Sequence, residues 1–173
     1  MINPRHIPIV FQEDSGDKFE ITKGNYVELI GLAKEEWKIK IMLDEQIKIG
    51  RIRKTDMNGN PTLVYLAKFD QKVKKEKSYC NKINLAPQKV LTLRTRPLVE
   101  EELNHILENR TSEDSKKINT ETALFGVEDG VEFELLDEDY GKWQKISIQT
   151  KNMKIAGYIN KLVKGIPTRK KEC

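Results

Sequence analysis

At 173 residues, with 38% hydrophobic and 34% charged positions, the chain suits one ordinary domain or two small ones, and two modest cores fit its apolar content better than one large core. A net charge of +4 is too weak by itself to mark a nucleic-acid binder. No run approaches the roughly 18 apolar residues of a membrane span.

Strand signals dominate in chain order. His6-Ile-Pro-Ile-Val-Phe11 is a short apolar run whose proline suits an edge strand. Lys18–Thr22 alternates with Phe19 and Ile21 on one face, Tyr26–Ile30 is β-branched and aromatic, and Trp37-Lys-Ile-Lys-Ile41 is the cleanest alternation in the chain. Gln46–Ile52 continues the pattern, so residues 6–54 supply about five short strands, enough for a small barrel. The turn cluster Asp56-Met-Asn-Gly-Asn-Pro61 marks an edge, Thr62–Phe69 reads as one more strand, and the lysine-rich stretch to Lys82 as a loop or hairpin arm. A strand over Lys89–Arg96 ends at Pro97. Leu98, Val99, Leu103, Ile106 and Leu107 then follow helical spacing, with glutamates where the helix dipole favours them. Asn109–Thr120 is polar and carries no pattern. From Thr122 the strand pattern runs to about Val163.

A pattern recurs about 106 residues apart. Gly24-Asn-Tyr-Val-Glu-Leu-Ile, Trp37–Ile41 and Ile49-Gly50-Arg-Ile52 are answered by Gly130-Val-Glu-Phe-Glu-Leu-Leu136, Trp143–Ile148 and Ala156-Gly157-Tyr-Ile159. Two copies are too few for a solenoid, so the fold expected is mainly β: two small barrels in tandem, each with its own core, with one short helix in an insertion of the second. The boundaries expected are 1–58 for the first barrel, 59–88 for a basic linker, 89–165 for the second barrel with an insertion at 98–122, and 166–173 for a polar tail.

These residues resemble the bacterial SH3-like (SH3b) family. Leu91-Thr-Leu-Arg-Thr-Arg-Pro97 is similar to the family's opening strand, Gly130–Leu136 to its second element, Gly141-Lys-Trp-Gln-Lys-Ile146 to its third and Gly157-Tyr-Ile-Asn-Lys-Leu162 to its last. The first half shares the Gly24, Trp37 and Gly50 elements but lacks the opening. The resemblance implies SH3-like barrels in a non-enzymatic binding or scaffold protein of the cell envelope that recognises peptide or peptidoglycan. The alternative is a cytoplasmic SH3-like module for nucleic acid or a protein partner. The opening Met1–His6 lacks the apolar core of a secretory signal, so the first reading places the chain in the periplasm or cell envelope after removal of a signal, and otherwise it is cytoplasmic.

Strand parity separates the two tryptophans. Trp37 shares a face with Ile39 and Ile41 and points to the core; Trp143 lies opposite Ile146 and Ile148, either in a ligand groove or under the 98–122 insertion. With Tyr140 and Tyr158 it forms the candidate binding site, rimmed by Asp137 and Asp139, and an acidic rim suits a cationic peptide or amine. The lysines from Lys68 to Lys82, with Phe69 and Tyr79, are the surface for the nucleic-acid alternative. Catalysis has little support: Cys80, His6 and His105 show no nucleophile–base pattern, and no phosphate loop or metal-ligand spacing occurs. The protein is therefore expected to be a non-enzyme without cofactor, acting as a monomer or weak dimer. Two cysteines imply no disulfide framework.

Overall fold

The alternation of Trp37–Ile41 becomes an eight-residue strand whose inward positions Trp37, Ile39 and Ile41 are buried while Lys38 and Met42 face out. It turns back into a second eight-residue strand ending on buried Gly50 and Ile52. This hairpin is the centre of the first half. The computed structural model describes residues 2–4 and 9–173, and side chains over 9–136 and 140–173. In the first half β1 (Ile2–Pro4), β2 (Ile9–Glu13), β3 (Lys18–Ile21), β4 (Val27–Leu32), β5 (Glu36–Leu43), β6 (Gln46–Arg53) and β7 (Leu63–Tyr65) precede a one-turn helix α1 (Ala67–Asp70). The second half holds β8 (Asn81–Ile83), β9 (Val90–Arg94), helices α2 (Glu100–Glu108) and α3 (Glu113–Thr122), then β10 (Ala123–Glu128), β11 (Glu134–Tyr140), β12 (Trp143–Gln149) and β13 (Lys154–Asn160). It closes with β14 (Leu162–Val163), β15 (Ile166–Pro167) and β16 (Arg169–Lys171).

The halves share one strand plan. In the first, β3-β2-β6-β5-β4 are neighbours in that order; in the second, β10-β9-β13-β12-β11 are. Register repeats as well. Ile39 faces Gly50 as Ile146 faces Gly157, and Leu29 faces Ile39 as Leu135 faces Ile146. At both glycines a strand crosses so closely that a Cβ would collide with it: on Gly50 it would meet the Gln12 carbonyl, and on Gly157 it would lie 2.7 Å from Leu93 Cγ and 2.8 Å from the Arg94 oxygen.

The repeat extends further than its sequence signature. β1 pairs antiparallel with β7 (Ile2↔Tyr65, Pro4↔Leu63) as β8 pairs with β16 (Asn81↔Lys171, Ile83↔Arg169). The Thr62 amide donates to the Lys54 carbonyl and its hydroxyl to Arg53; Thr168 does the same to Lys161 and Asn160, all between 2.5 and 2.9 Å. Each threonine follows a proline paired back across a loop, Pro61 to Thr55 and Pro167 to Leu162. Seven strands thus recur in both units, residues 2–65 and 81–171, and the second adds the short pair β14–β15.

The units are fused rather than strung together, which corrects the expectation of separate cores. β7 of the first lies parallel to β10 of the second (Val64↔Gly126, Tyr65↔Val127), which makes a single twelve-stranded sheet. One apolar cluster runs from Ile9, Trp37 and Ile52 through Leu63 and Tyr65 to Phe125, Ile146 and Ile159. A Cβ on Gly126 would strike Val90 on the antiparallel neighbour β9 and would lie 3.3 Å from Val64 on the parallel neighbour β7. Across the junction Lys151 Nζ sits 2.6 Å from Glu28, and Asn152 donates to the Leu29 carbonyl at 3.2 Å.

Several further expectations change. The protein is mainly β, with several sheets and, among the described residues, no closed barrel. β2 lies between β3 and β6, so the strand expected at an edge is internal; of the His6–Phe11 run, residues 6–8 fall outside the described residues. Within the segment taken as a linker, β7 ends the first unit and β8 begins the second, and the supposed tail 166–173 holds β15 and the closing strand β16. The helix over 98–108 is present as α2, but α3 occupies the patternless stretch, its first turn capped by Ser112 Oγ accepting from the Ser115 amide at 3.1 Å. Cys80 and Cys173 form a disulfide across the β8–β16 ladder, with Cα atoms 4.7 Å apart.

Candidate functional site

Trp143 leaves the main core, as parity requires, but it is not open. It is 5% exposed and packs with Leu98 and Ile106 beneath the insertion, flanked by Leu103, Ile118 and Tyr158. Helix α2 is pinned over it. Arg96 grips Glu102 through two 2.8 Å hydrogen bonds, and Glu102 also accepts from the Val99 amide at 3.1 Å. The Arg96 guanidinium, ahead of the other contributions, holds the Glu102 carboxyl below its ordinary range. Beneath, Arg94 donates to Thr122 Oγ1 at 2.8 Å, and burial pushes its pKa down to about 10. Lys142 on the β11–β12 turn reaches Glu100 at 3.3 Å and fastens the hairpin to the helix.

Tyr140 remains 44% exposed and meets Tyr158 edge-on, with ring centroids 5.2 Å apart; Lys145 Nζ lies 5.7 Å from the Tyr158 ring. The structure therefore brings Tyr140, Trp143 and Tyr158 together, as a packed cluster with one open tyrosine rather than as a groove. Of the two places expected for the indole, a ligand groove or the underside of the 98–122 insertion, Trp143 takes the second, because the insertion supplies the apolar lid. The side chains of Asp137 and Asp139 lie outside those described.

An actual groove opens on the opposite face of the same two strands. Gln144 and Ile159 are paired partners one residue away from Trp143 and Tyr158, so they point the other way. With Phe133 they floor a cavity of about 360 Å³, walled by Pro167 and Thr168 and flanked by Lys161 and Arg169. The Gln144 amide donates to the Leu136 carbonyl at 3.1 Å. Reading 166–173 as a tail hid this site. The repeated Pro-Thr pair, Pro61-Thr62 and Pro167-Thr168, was the signal that could have placed the tail in the fold.

The corresponding place in the first unit is full. Trp37 faces Ile52 as Gln144 faces Ile159, so by register the partner of Trp37 is Gln144, not Trp143. The Trp37 indole is fully buried, donates from Nε1 to the Leu124 carbonyl at 3.0 Å, and has Lys54 Nζ 5.5 Å above its ring. Burial, opposed by the Glu35 charge, lowers the Lys54 pKa from its ordinary value, and the ammonium donates to the Lys34 carbonyl at 2.9 Å.

The β8–β16 ladder joins the two basic stretches of the sequence. Lys82 faces Lys170, with Glu172 at 3.4 Å from the first and 3.9 Å from the second, and Asp129 accepts from Lys170 at 3.3 Å. Tyr79 nearby has Lys77 and Lys154 over its ring at 5.1 and 5.8 Å. Of the candidate nucleophile–base groups, Cys80 is held in the disulfide, His105 sits 3.9 Å from Glu101 on the exposed face of α2, and His6 is outside the described residues. Among the described residues no three His, Cys, Asp or Glu side chains gather as metal ligands, and no helix is long and apolar enough to cross a membrane.

Comparison with protein-family models, with curated proteins and with solved structures finds no match to this chain.

Proposed function

We propose that the chain is a non-enzymatic binding or scaffold protein of the bacterial cell envelope, built from two SH3-like units, that takes its ligand in the groove of the second. The observation that carries this reading is the contrast between the units: the position that Trp37 fills in the first holds Gln144 in the second, beside a depression of about 360 Å³ whose apolar lining, Phe133 and Ile159, is itself buried. A depression of about 360 Å³ lies at the lower end of the range for ligand pockets, roughly 300–1,000 Å³, and its apolar floor with a few polar groups fits peptide better than a bulky cofactor. The Cys80–Cys173 disulfide supports an oxidising compartment such as the periplasm or cell surface. Exposure of the purified chain to intact cell wall and to a random peptide library tests the reading. Retention of neither defeats it.

One observation favours the second reading, a module for nucleic acid. Lys82 opposite Lys170, with Tyr79 between Lys77 and Lys154, is a basic and aromatic edge of the kind that tracks a phosphate backbone. A salt series against single-stranded DNA separates the two, because phosphate contacts produce a steep linear fall of log affinity with log salt. The acidic partners already on Lys82 and Lys170 make the peptide reading the stronger one.

A further inference from the structure

We propose that the second-unit groove is a receptor for one aromatic side chain, carried on an extended acidic segment of a partner polypeptide that lies alongside β16. This rests on the peptide-binding reading above and names the kind of peptide.

The first unit supplies the template. There the position of Gln144 holds Trp37, that of Ile159 holds Ile52, and that of Lys161 holds Lys54. In the first unit these residues seat an indole against Ile52 with a lysine over its face. The second unit keeps the isoleucine and the lysine but not the ring. Its shorter Gln144 turns its amide to the Leu136 carbonyl, and the space remains. A ring entering there would face Ile159 as Trp37 faces Ile52, with the exposed Arg169 beside it for a cation–π contact.

The same template says what would carry the ring. β16 stands where β7 stands in the first unit. One side of β7 pairs with β1, and β16 pairs likewise with β8. The other side of β7 receives β10 in parallel, and that strand brings the Leu124 carbonyl to the Trp37 N–H and the Phe125 ring to 5.9 Å from the indole. On β16 the matching side has no strand among the described residues. A partner strand added there would lie beside the groove, with affinity from main-chain hydrogen bonds and specificity from the inserted side chain.

Charge selects the partner. β7 reads Leu63-Val-Tyr65, all buried, whereas β16 reads Arg169-Lys170-Lys171, with Arg169 and Lys171 exposed. That sequence suits a partner with carboxylates flanking its ring and repels a basic one.

The test uses the full disulfide-bonded chain and a synthetic hexapeptide, Glu-Leu-Trp-Gly-Val-Glu, patterned on β10 with added charge. Backbone NMR shifts should move at Gln144, Ile159 and Thr168 through Arg169. Replacing the peptide tryptophan by alanine should weaken binding at least about tenfold, as should filling the groove with Gln144→Trp; this is the loss of a buried ring contact worth about 1.4 kcal/mol or more. Arg169→Glu, a surface change that leaves the fold intact, should weaken binding and remove its salt dependence, which keeps the idea testable if Gln144→Trp misfolds. Shifts confined to the Tyr140–Tyr158 face, or equal binding by the Trp and Ala peptides, overturn this proposal and leave peptide binding standing. A peptide-independent dimer in sedimentation, abolished by Gln144→Trp, overturns it in favour of a second copy. Absence of retention by the random library and by cell wall removes the underlying reading instead.

Discussion

Replacing Trp37 by phenylalanine asks whether the two units unfold as one. The indole is fully buried at their junction, with its N–H on the Leu124 carbonyl, its ring 5.9 Å from Phe125, and Lys54 above it. Phenylalanine keeps the position apolar but removes about 50 Å² of buried surface, worth roughly 1 kcal/mol at 25 cal per Å². The lost hydrogen bond adds about 1 kcal/mol, and a weaker cation–π contact a further 0.5 kcal/mol or so. A destabilisation of about 2–3 kcal/mol follows. The substitution leaves Trp143 as the only tryptophan, buried in the second unit under α2, so its fluorescence reports that unit alone. In a urea titration the Trp143 signal and the far-UV dichroism should coincide, both at a midpoint below that of the wild type. If Trp143 kept the wild-type midpoint while dichroism showed a separate, earlier loss of strand, the shared core would be wrong and the units would fold independently.

Three other perturbations bear on particular contacts. Cys173→Ser opens a loop spanning 93 residues and should cost about 2–4 kcal/mol, read as a lower thermal midpoint, with amide exchange accelerating first along 169–171. Gly157→Ala places a methyl 2.7 Å from Leu93 Cγ and 2.8 Å from the Arg94 oxygen, so overpacking should cost about 1–3 kcal/mol in denaturant, with the second-unit hairpin displaced from β9. Glu28 has its pKa lowered from 4.5, first by the hydrogen bond from Lys151, so its folded carboxyl binds protons less readily than the unfolded one. The stability it adds is whole above about pH 5 and disappears as pH falls through the depressed folded value; Lys151→Met should flatten that acid-side slope of the urea midpoint.

Local pattern carried much of the fold. The two-residue alternation located β5, β6, β12 and β13, and parity alone put Trp37 in the core and Trp143 outside it, because side-chain direction along a strand depends only on position. Helical spacing located α2. The remainder depended on contacts between distant residues. β1 and β8, or β7 and β16, have little residue type in common, so the repeat is longer in space than in sequence. Two cysteines 93 apart carry no local sign of proximity, and they meet only because β8 and β16 pair. Helix α3 has few apolar residues, and Ile118 packs its side against the Trp143 cluster, too little for periodicity to register. The site itself was displaced by one residue. Matching Trp37 to Trp143 sets the repeat at 106, but Gly50 and Gly157 are 107 apart, and the strand register follows the glycines. That single residue moves the second indole to the other face and leaves Gln144 over the groove.

The second unit repeats the seven strands of the first, and its groove stands where the first carries its indole. A crystal structure of the Gln144→Trp variant measures this directly. The introduced ring should lie flat over Ile159, within about 6 Å of the Lys161 ammonium, with β12 and β13 still paired Gln144-position to Ile159. A ring turned out to solvent, or a hairpin shifted by one residue to hide it, would contradict the equivalence and the receptor drawn from it.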